Sequence, residues 1–443
     1  MRNRLWFLVF LAALAWPLPG AAQERLTLQD VITATLAKNP DLTAARAGAR
    51  ESEARASEAL AGFLPRVDFV EAWQRGNNPV FVFGSLLSQQ RFSMANFAID
   101  ALNHPHPLTN YHAGLSLDQP VWDSARWFGI KSANIGREIA RQSVAEAQGD
   151  LALAAVRAYS EALIASANRA AASAAVAAAR EDVTRAEHSR DVGMASEADV
   201  LSLRVHLAQM QEREIRATSD ERIAHAQVNR LMNEPLDRPV LLTEPGLAPV
   251  PVPAADASEE AGLRDRAALK RANLQVSLAQ SAKSAARTAF LPQLGVQAMY
   301  EWNGHAFGDR AGSWMIAGQA RINLFAGGGD LARLRAANEA AARAAAERQS
   351  AEAGLRLEIR TATAQLESAQ ARNAVARSAV LQAHESQRII RDRYETGLAA
   401  VNDVLRAANA LLDAESQRIS ATVDVIVARA ALDRAVGKIP SGM

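Results

Sequence analysis

The sequence predicts a mainly α protein with a small membrane β part, built as a tandem repeat. Three observations lead there. The chain opens like an export signal, its two halves repeat at fixed offsets, and four short segments alternate apolar and polar residues between very long helical stretches. Composition agrees: of 443 residues 49% are hydrophobic but only 5% aromatic, and an Ala-rich, charge-rich, aromatic-poor chain leans toward long helices. The count of zero Cys excludes a disulfide framework, a thiolate metal site and a lipid-modified N-terminal Cys, so no lipid anchor is expected. Lys+Arg 49 against Asp+Glu 48 leave a formal charge of +1, which gives no basic footprint for nucleic acid.

Residues 1–22 read as a signal peptide. Arg2 and Arg4 precede an apolar run from Leu5 to Trp16, Pro17, Pro19 and Gly20 break it, and Ala21-Ala22 supply small residues for cleavage near Gln23. The run is too short to span a bilayer as a helix. No other stretch is a long unbroken apolar run, so no second helical span is expected.

The repeat is visible in matched residues. Phe63-Leu64-Pro65 returns 227 positions later as Phe290-Leu291-Pro292. Gly193, Asp199, Val200 and Leu201 return 204 positions later as Gly397, Asp403, Val404 and Leu405. The difference of 23 between those offsets places an insertion of that size within 77–110, a segment containing His104-Pro105-His106-Pro107. The chain therefore divides into a first repeat at 23–232, a Pro-rich linker at 233–258, a second repeat at 259–437 and a tail at 438–443. Each repeat reads as a first helix (28–62; 259–289), two strands, a very long helix (123–190; 330–394), a Gly turn and a returning helix (199–232; 403–436). Thr27 with Asp30 has capping-box spacing, and Pro40 permits an early break. The returning helix covers half of the long one, so first and returning helices are expected end to end beside it. Alanine runs such as Ala170-Ala171-Ala172 allow close packing; a solvent-exposed coiled coil would share these heptads.

The strand segments alternate cleanly. Tyr111, Ala113, Leu115 and Leu117 form one apolar set; Leu294, Val296, Ala298, Tyr300 and Trp302 a second; Trp314, Ile316, Ala320, Ile322 and Leu324 a third; Val67, Phe69 and Trp73 a poorer fourth. A soluble half-buried sheet gives the same pattern, but in an exported chain it matches membrane-spanning β-strands. Four strands cannot close a barrel, and open edges in lipid leave backbone groups unpaired at several kcal/mol each. Several chains must then share one barrel. Three would give twelve strands, whereas two would give eight around an interior filled by side chains.

The doubled Phe-Leu-Pro junctions, the strand-to-helix junctions Gln119-Pro120-Val121-Trp122-Asp123 and Asn323-Leu324-Phe325-Ala326-Gly327-Gly328, and the repeated hairpin turns resemble the TolC-like outer-membrane efflux protein family over essentially the mature chain. The resemblance implies a homotrimer in the outer-membrane bilayer, with four strands per protomer in a shared twelve-stranded barrel that continues into a long α-helical periplasmic tunnel. It also implies two protein partners, a periplasmic adaptor (membrane fusion) protein and an inner-membrane pump. It places a periplasmic constriction at Asp199, Tyr394, Asp403 and Arg406. Adaptor-docking tips fall at Arg190, Gly193, Met194, Val200, Leu201, Gly397, Leu398, Val404 and Leu405.

Local structure offers a plainer account of the same residues. Gly193 and Gly397 suit a left-handed position ending the outgoing helix, and Asp199 and Asp403 suit the first turn of the returning one. Symmetry adds a second account: a carboxylate repeated threefold around one axis makes a ring that favours cations. Two departures from the family pattern stand out. Arg406 sits where a second acidic ring can occur, and Ala399 where an Arg pairs with the first-hairpin Asp. No catalytic constellation, cofactor site or metal site stands out: the eight His are scattered, and Gly327-Gly328-Gly329 lacks the Lys and Ser/Thr of a phosphate loop. The expected role is the passive exit duct of a tripartite efflux system. The exit channel of a type I protein-secretion system, a soluble periplasmic coiled-coil scaffold and an exported hydrolase on a helical frame are the alternatives.

Overall fold

A computed structural model describes residues 25–193, 195–244 and 251–441. The export segment and Met194 lie outside the described residues. The first half runs β1 (Arg25–Leu26), α1 (Leu28–Lys38), α2 (Pro40–Ala61), β2 (Arg66–Gly76), α3 (Pro79–Ser88), a 3-10 turn (Met94–Phe97), α4 (Ile99–Asn103), β3 (Leu108–Trp122), α5 (Ser124–Asp191) and α6 (Glu197–Met232). After β4 (Leu241–Leu242) the second half runs α7 (Ala255–Asp265), α8 (Ala267–Arg287), β5 (Gln293–Ala306), β6 (Asp309–Arg321), α9 (Gly329–Glu395) and α10 (Val401–Ala435). The offsets read from the sequence recur in the element bounds: Leu28 and Ala255 open matching helices, as do Glu197 and Val401.

Local chemistry explains the boundaries. Thr27 caps α1, its hydroxyl accepting from the Asp30 amide while Asp30 Oδ2 accepts from the Thr27 amide at 2.9 Å. Asn39 is extended, as the residue before Pro40 must be, and this separates α1 from α2. The same break recurs at Arg266, also extended but with no proline after it. Proline is therefore sufficient at one site and dispensable at the other. At the Phe-Leu-Pro junction, Gln119 Nε2 donates to the Phe63 carbonyl at 3.0 Å and the Arg126 guanidinium donates to the Gly62 carbonyl.

The fold has two compact units, and neither is a sequence repeat. One joins 25–42, 148–259 and 359–441; the other joins 43–147 and 260–358. Each takes segments from both halves. The core of the first unit packs Leu28, Val31 and Ile32 of α1 against Ala152, Val156 and Tyr159 of α5, Val228 and Leu231 of α6, and Ile426 and Ala430 of α10. Its alanines, Ala155, Ala158 and Ala162 among them, let the helix backbones approach closely. The α1 and α6 ends meet there: Asn39 Nδ2 donates to the Leu231 carbonyl at 3.1 Å, and Lys38 pairs with Glu234 at 2.6 Å. The first helix thus continues where the returning helix stops. Part of the linker is pinned too. β1 and β4 pair in parallel, and the Tyr159 hydroxyl is shared between the Leu26 and Thr243 carbonyls at 3.1 and 2.5 Å. By length and composition α5 is apolar enough to cross a membrane, which the sequence expectation of no helical span did not foresee. Alanine raises its average hydropathy, and Leu153, Val156 and Tyr159 of its middle stretch belong to this core.

The second unit holds a four-stranded antiparallel sheet in the order β2-β3-β5-β6. β6 stops at Arg321, short of the Leu324 expected from the alternation. Gly327 and Gly328 then adopt positive φ (62° and 80°) and turn the chain into α9.

Candidate functional site: the exposed sheet and the hairpin tips

Register puts all four apolar sets on one face. Val67, Leu117, Ala298 and Ile316 form one rung; Phe69, Leu115, Tyr300 and Trp314 form the next. Because side chains alternate strictly, the opposite face carries Asp68, Ser116 and Met299 on one rung and Asp118 and Gln297 on another. The apolar face is uncovered: Val67, Phe69, Trp73, Trp314 and Ile316 are each more than half exposed. The strands run 11 to 15 residues, long enough to cross a bilayer when tilted. β2 and β6 form the two edges, each hydrogen-bonded to one neighbour among the described residues. An uncovered apolar face with two open edges is a surface that water does not tolerate well and that a lipid phase plus further strands would satisfy.

Both hairpin tips lie in the first unit. At the first, Gly193 takes φ 76° and Arg190 bridges Asp191 at 2.8 Å and Glu197 at 3.2 Å, which raises the guanidinium pKa further. Ser196 and Asp199 form a complete capping box: the Asp199 amide donates to Ser196 Oγ at 3.2 Å, and Ser196 Oγ donates to Asp199 Oδ2 at 2.8 Å. At the second tip Gly397 takes φ 75° and Asp403 Oδ2 accepts from the Ala400 amide at 3.2 Å. Alanine has no hydroxyl, so the reciprocal half of that box is missing.

The four expected constriction residues separate into two pairs. Asp199 and Tyr394 line one cleft of about 490 Å³, together with Asp182, Arg185 and Arg391. Burial, and then the negative charges of Asp199 and Asp182, push the Tyr394 phenol up. Ala399 lines the same cleft without a polar side chain, and the Asp199 carboxylate is engaged by its own N-cap. Asp403 and Arg406 pair along α10, with Arg406 Nη2 at 2.5 Å from Asp403 Oδ1. Both are outside the residues lining that cleft.

The docking set also divides. Leu201 and Leu398 are exposed, but Val200 and Val404 are buried, Val200 completely. Val200 packs with Val183, Ala186, Leu203 and Val401, with Leu405 and Tyr394 against the same cluster. These valines pack beneath the tips, whereas the leucines are exposed; a step of one residue, about 100° around the helix, separates exposed Leu201 from buried Val200. Val192, exposed beside Gly193, joins the accessible tip instead. Sequence reasoning also missed Asp182 and Arg391, whose 3.9 Å contact brings together two different long helices and leaves no local spacing signal.

One unit thus carries an exposed apolar sheet with two open edges and the other carries two Gly-centred hairpin tips, features of a channel-type envelope protein. The outer membrane efflux protein family model matches residues 31–234 and 260–438, one match per repeat, and the chain belongs to that family. No curated protein matches it. Its fold is that of the CmeC outer membrane channel of Campylobacter jejuni (TM-score 0.80, 16% identity, 93% of this chain and 85% of that one). It is equally that of the outer membrane protein VceC of Vibrio cholerae (0.77, 19%, 93% and 96%). The open state of the MtrE outer membrane channel of Neisseria gonorrhoeae is similar as well (0.72, 17%, 93% and 89%).

Proposed function

We propose that the chain is one protomer of a homotrimeric outer-membrane exit channel, the passive duct of a tripartite efflux system. One observation carries this reading: a sheet whose apolar face is uncovered and whose two edges are open, which one chain cannot seal in lipid. Three copies supply twelve strands, and the paired long helices supply the periplasmic tunnel. Energy comes from an inner-membrane pump acting through a periplasmic adaptor that meets the tips at Leu201, Leu398 and the Gly193 and Gly397 turns. The Asp199–Tyr394 cleft between the hairpins is the part that rearranges when the adaptor engages, and Asp403 with Arg406 forms a mixed-charge ring at the opening.

The test is direct. Detergent-extracted protein should be a trimer from the membrane fraction with heat-modifiable gel mobility, and a deletion strain should gain susceptibility to dyes, detergents or antibiotics. A water-soluble monomer extracted without detergent would refute the channel, and unchanged susceptibility together with loss of an exported polypeptide would favour the secretion channel.

A further inference from the structure

The insertion between Gly76 and Leu108 is not a simple external loop. It is folded: Asn78 caps α3 through the Val80 and Phe81 amides, Phe92 stacks edge-on to both Phe83 and Phe97 at 4.9 and 5.1 Å, and Ser93 with Asn96 caps the 3-10 turn. It is also attached to one particular face of the sheet. α3 lies against β3, β5 and β6, burying Val82, Ser85 and Gln89. Gln89 Nε2 donates to the Thr109 carbonyl at 3.0 Å and to Asn110 Oδ1 at 2.9 Å. Asn110 Nδ2 in turn donates to Asn303 Oδ1 at 2.8 Å, which also lies 3.2 Å from His112 Nδ1. Asn110 and His112 share the parity of Ser116 and Asp118, so this buried network sits on the polar face, opposite Trp314 and Ile316.

In the trimeric barrel proposed above, on which this inference rests, the polar face lines the lumen. We infer that the insertion is a plug seated inside the barrel mouth, and that its exposed apolar residues make an outer constriction restricting cargo to small amphiphilic molecules. Val80, Leu87, Met94, Phe97 and Ile99 are the residues left uncovered. Threefold repetition brings three such surfaces around one axis. A helix with its side chains is about 10 Å across. A twelve-stranded barrel lies between the filled interior of about eight strands and the open channel of about sixteen, so three plugs leave only a narrow passage. An apolar constriction resists ions by dewetting, admits molecules with an apolar part, and bars an unfolded polypeptide.

The chain has no Cys, which permits a clean accessibility test on intact cells. Ser116→Cys places a thiol on the polar face beyond the plug, and Trp314→Cys places one on the apolar face. With the full-length protein, a small membrane-impermeant maleimide should label Ser116→Cys and a large polymer-linked maleimide should not. Replacing 79–106 by a short Gly/Ser turn should raise large-reagent labelling by an order of magnitude or more. If that deletion fails to assemble, Gln89→Ala with Asn110→Ala releases α3 and should raise it by a smaller factor. Equal large-reagent labelling with and without the plug overturns the inference and leaves the channel standing. Labelling of Trp314→Cys by the impermeant reagents overturns the channel reading itself.

Discussion

Ile316→Arg separates lipid from water at a single position. Ile316 is 66% exposed in the isolated chain, near the middle of β6, on the rung it shares with Ala298, Leu117 and Val67. If that face meets water, an exposed Ile→Arg change falls within about 0.5 kcal/mol of neutral. If it meets the hydrocarbon of a bilayer, the same change costs roughly 2–4 kcal/mol per chain near the midplane. Three copies per barrel make that on the order of 6–12 kcal/mol per trimer. The matched control is Ala317→Arg, on the opposite face beside Gln297, with Asp118 one strand further along the same rung, where a lumen-facing arginine meets water and polar side chains. The assay is the temperature at which the folded, heat-modifiable trimer dissociates on gels, with the folded fraction recovered from outer membranes. Ile316→Arg should lower both sharply, Ile316→Ser should lower them less, and Ala317→Arg should leave them near wild type. Wild-type behaviour of Ile316→Arg would refute the placement of this face in lipid.

Three further outcomes follow from the site. Ala400→Ser supplies the hydroxyl that the second tip lacks and should stabilise the start of α10 by about 1 kcal/mol, while Ser196→Ala should cost α6 a similar amount; slower exchange of the Asp403 amide and faster exchange of the Asp199 amide are the readouts. Arg406→Asp removes the cation paired with Asp403 at 2.5 Å and adds a carboxylate, so single-channel recordings should show higher cation selectivity, and unchanged selectivity would remove this pair from the constriction. Burial pushes the Tyr159 phenol from 10.0 to about 12. Below pH 10 it is neutral in both states and its contribution is complete. At higher pH the unfolded chain ionises first, so stability falls with pH until the folded phenol also ionises near 12. Tyr159→Phe should flatten the fall in melting temperature over that window and should also destabilise the protein at neutral pH, because the Leu26 and Thr243 carbonyls lose their shared donor.

The strand pairing face and the first capped tip were legible because each rests on a short-range pattern, whereas the doubling showed as matched residues at fixed long offsets. A period of two puts Phe69 and Leu115 on one face whatever the tertiary fold, and a glycine before Ser196 and Asp199 marks a turn into a capped helix. What depends on long-range packing was not legible. Val200 and Leu201 are adjacent and both apolar, yet one is fully buried and the other exposed; only the positions of Val183 and Val401 decide which. The Asp182–Arg391 contact, the Asn110–Asn303 link and the cleft shared by Asp199 and Tyr394 all join residues far apart in sequence. The compact units escaped for the same reason, since each is assembled from both repeats.

The strand count per chain constrains how copies can close. β2 and β6 are the open edges, and four alternating strands make them antiparallel to each other. When β6 of one protomer meets β2 of the next, the new pair is therefore antiparallel like the other three. A head-to-tail contact of this kind extends indefinitely unless rotation closes it, and closure removes every unpaired backbone group from lipid at once. An odd number of strands per protomer would force a parallel pair at each junction. An even number also returns the chain to the side it came from, so β2 is entered from α2 and β3 leaves into α5 at one end of the sheet, while the insertion and the β5–β6 turn occupy the other. In the proposed barrel, that polarity places the helix junctions and the insertion at opposite ends of the strands. Deleting the plug should consequently change access from outside the cell and leave the Asp199–Tyr394 cleft untouched, whereas tip substitutions should do the reverse.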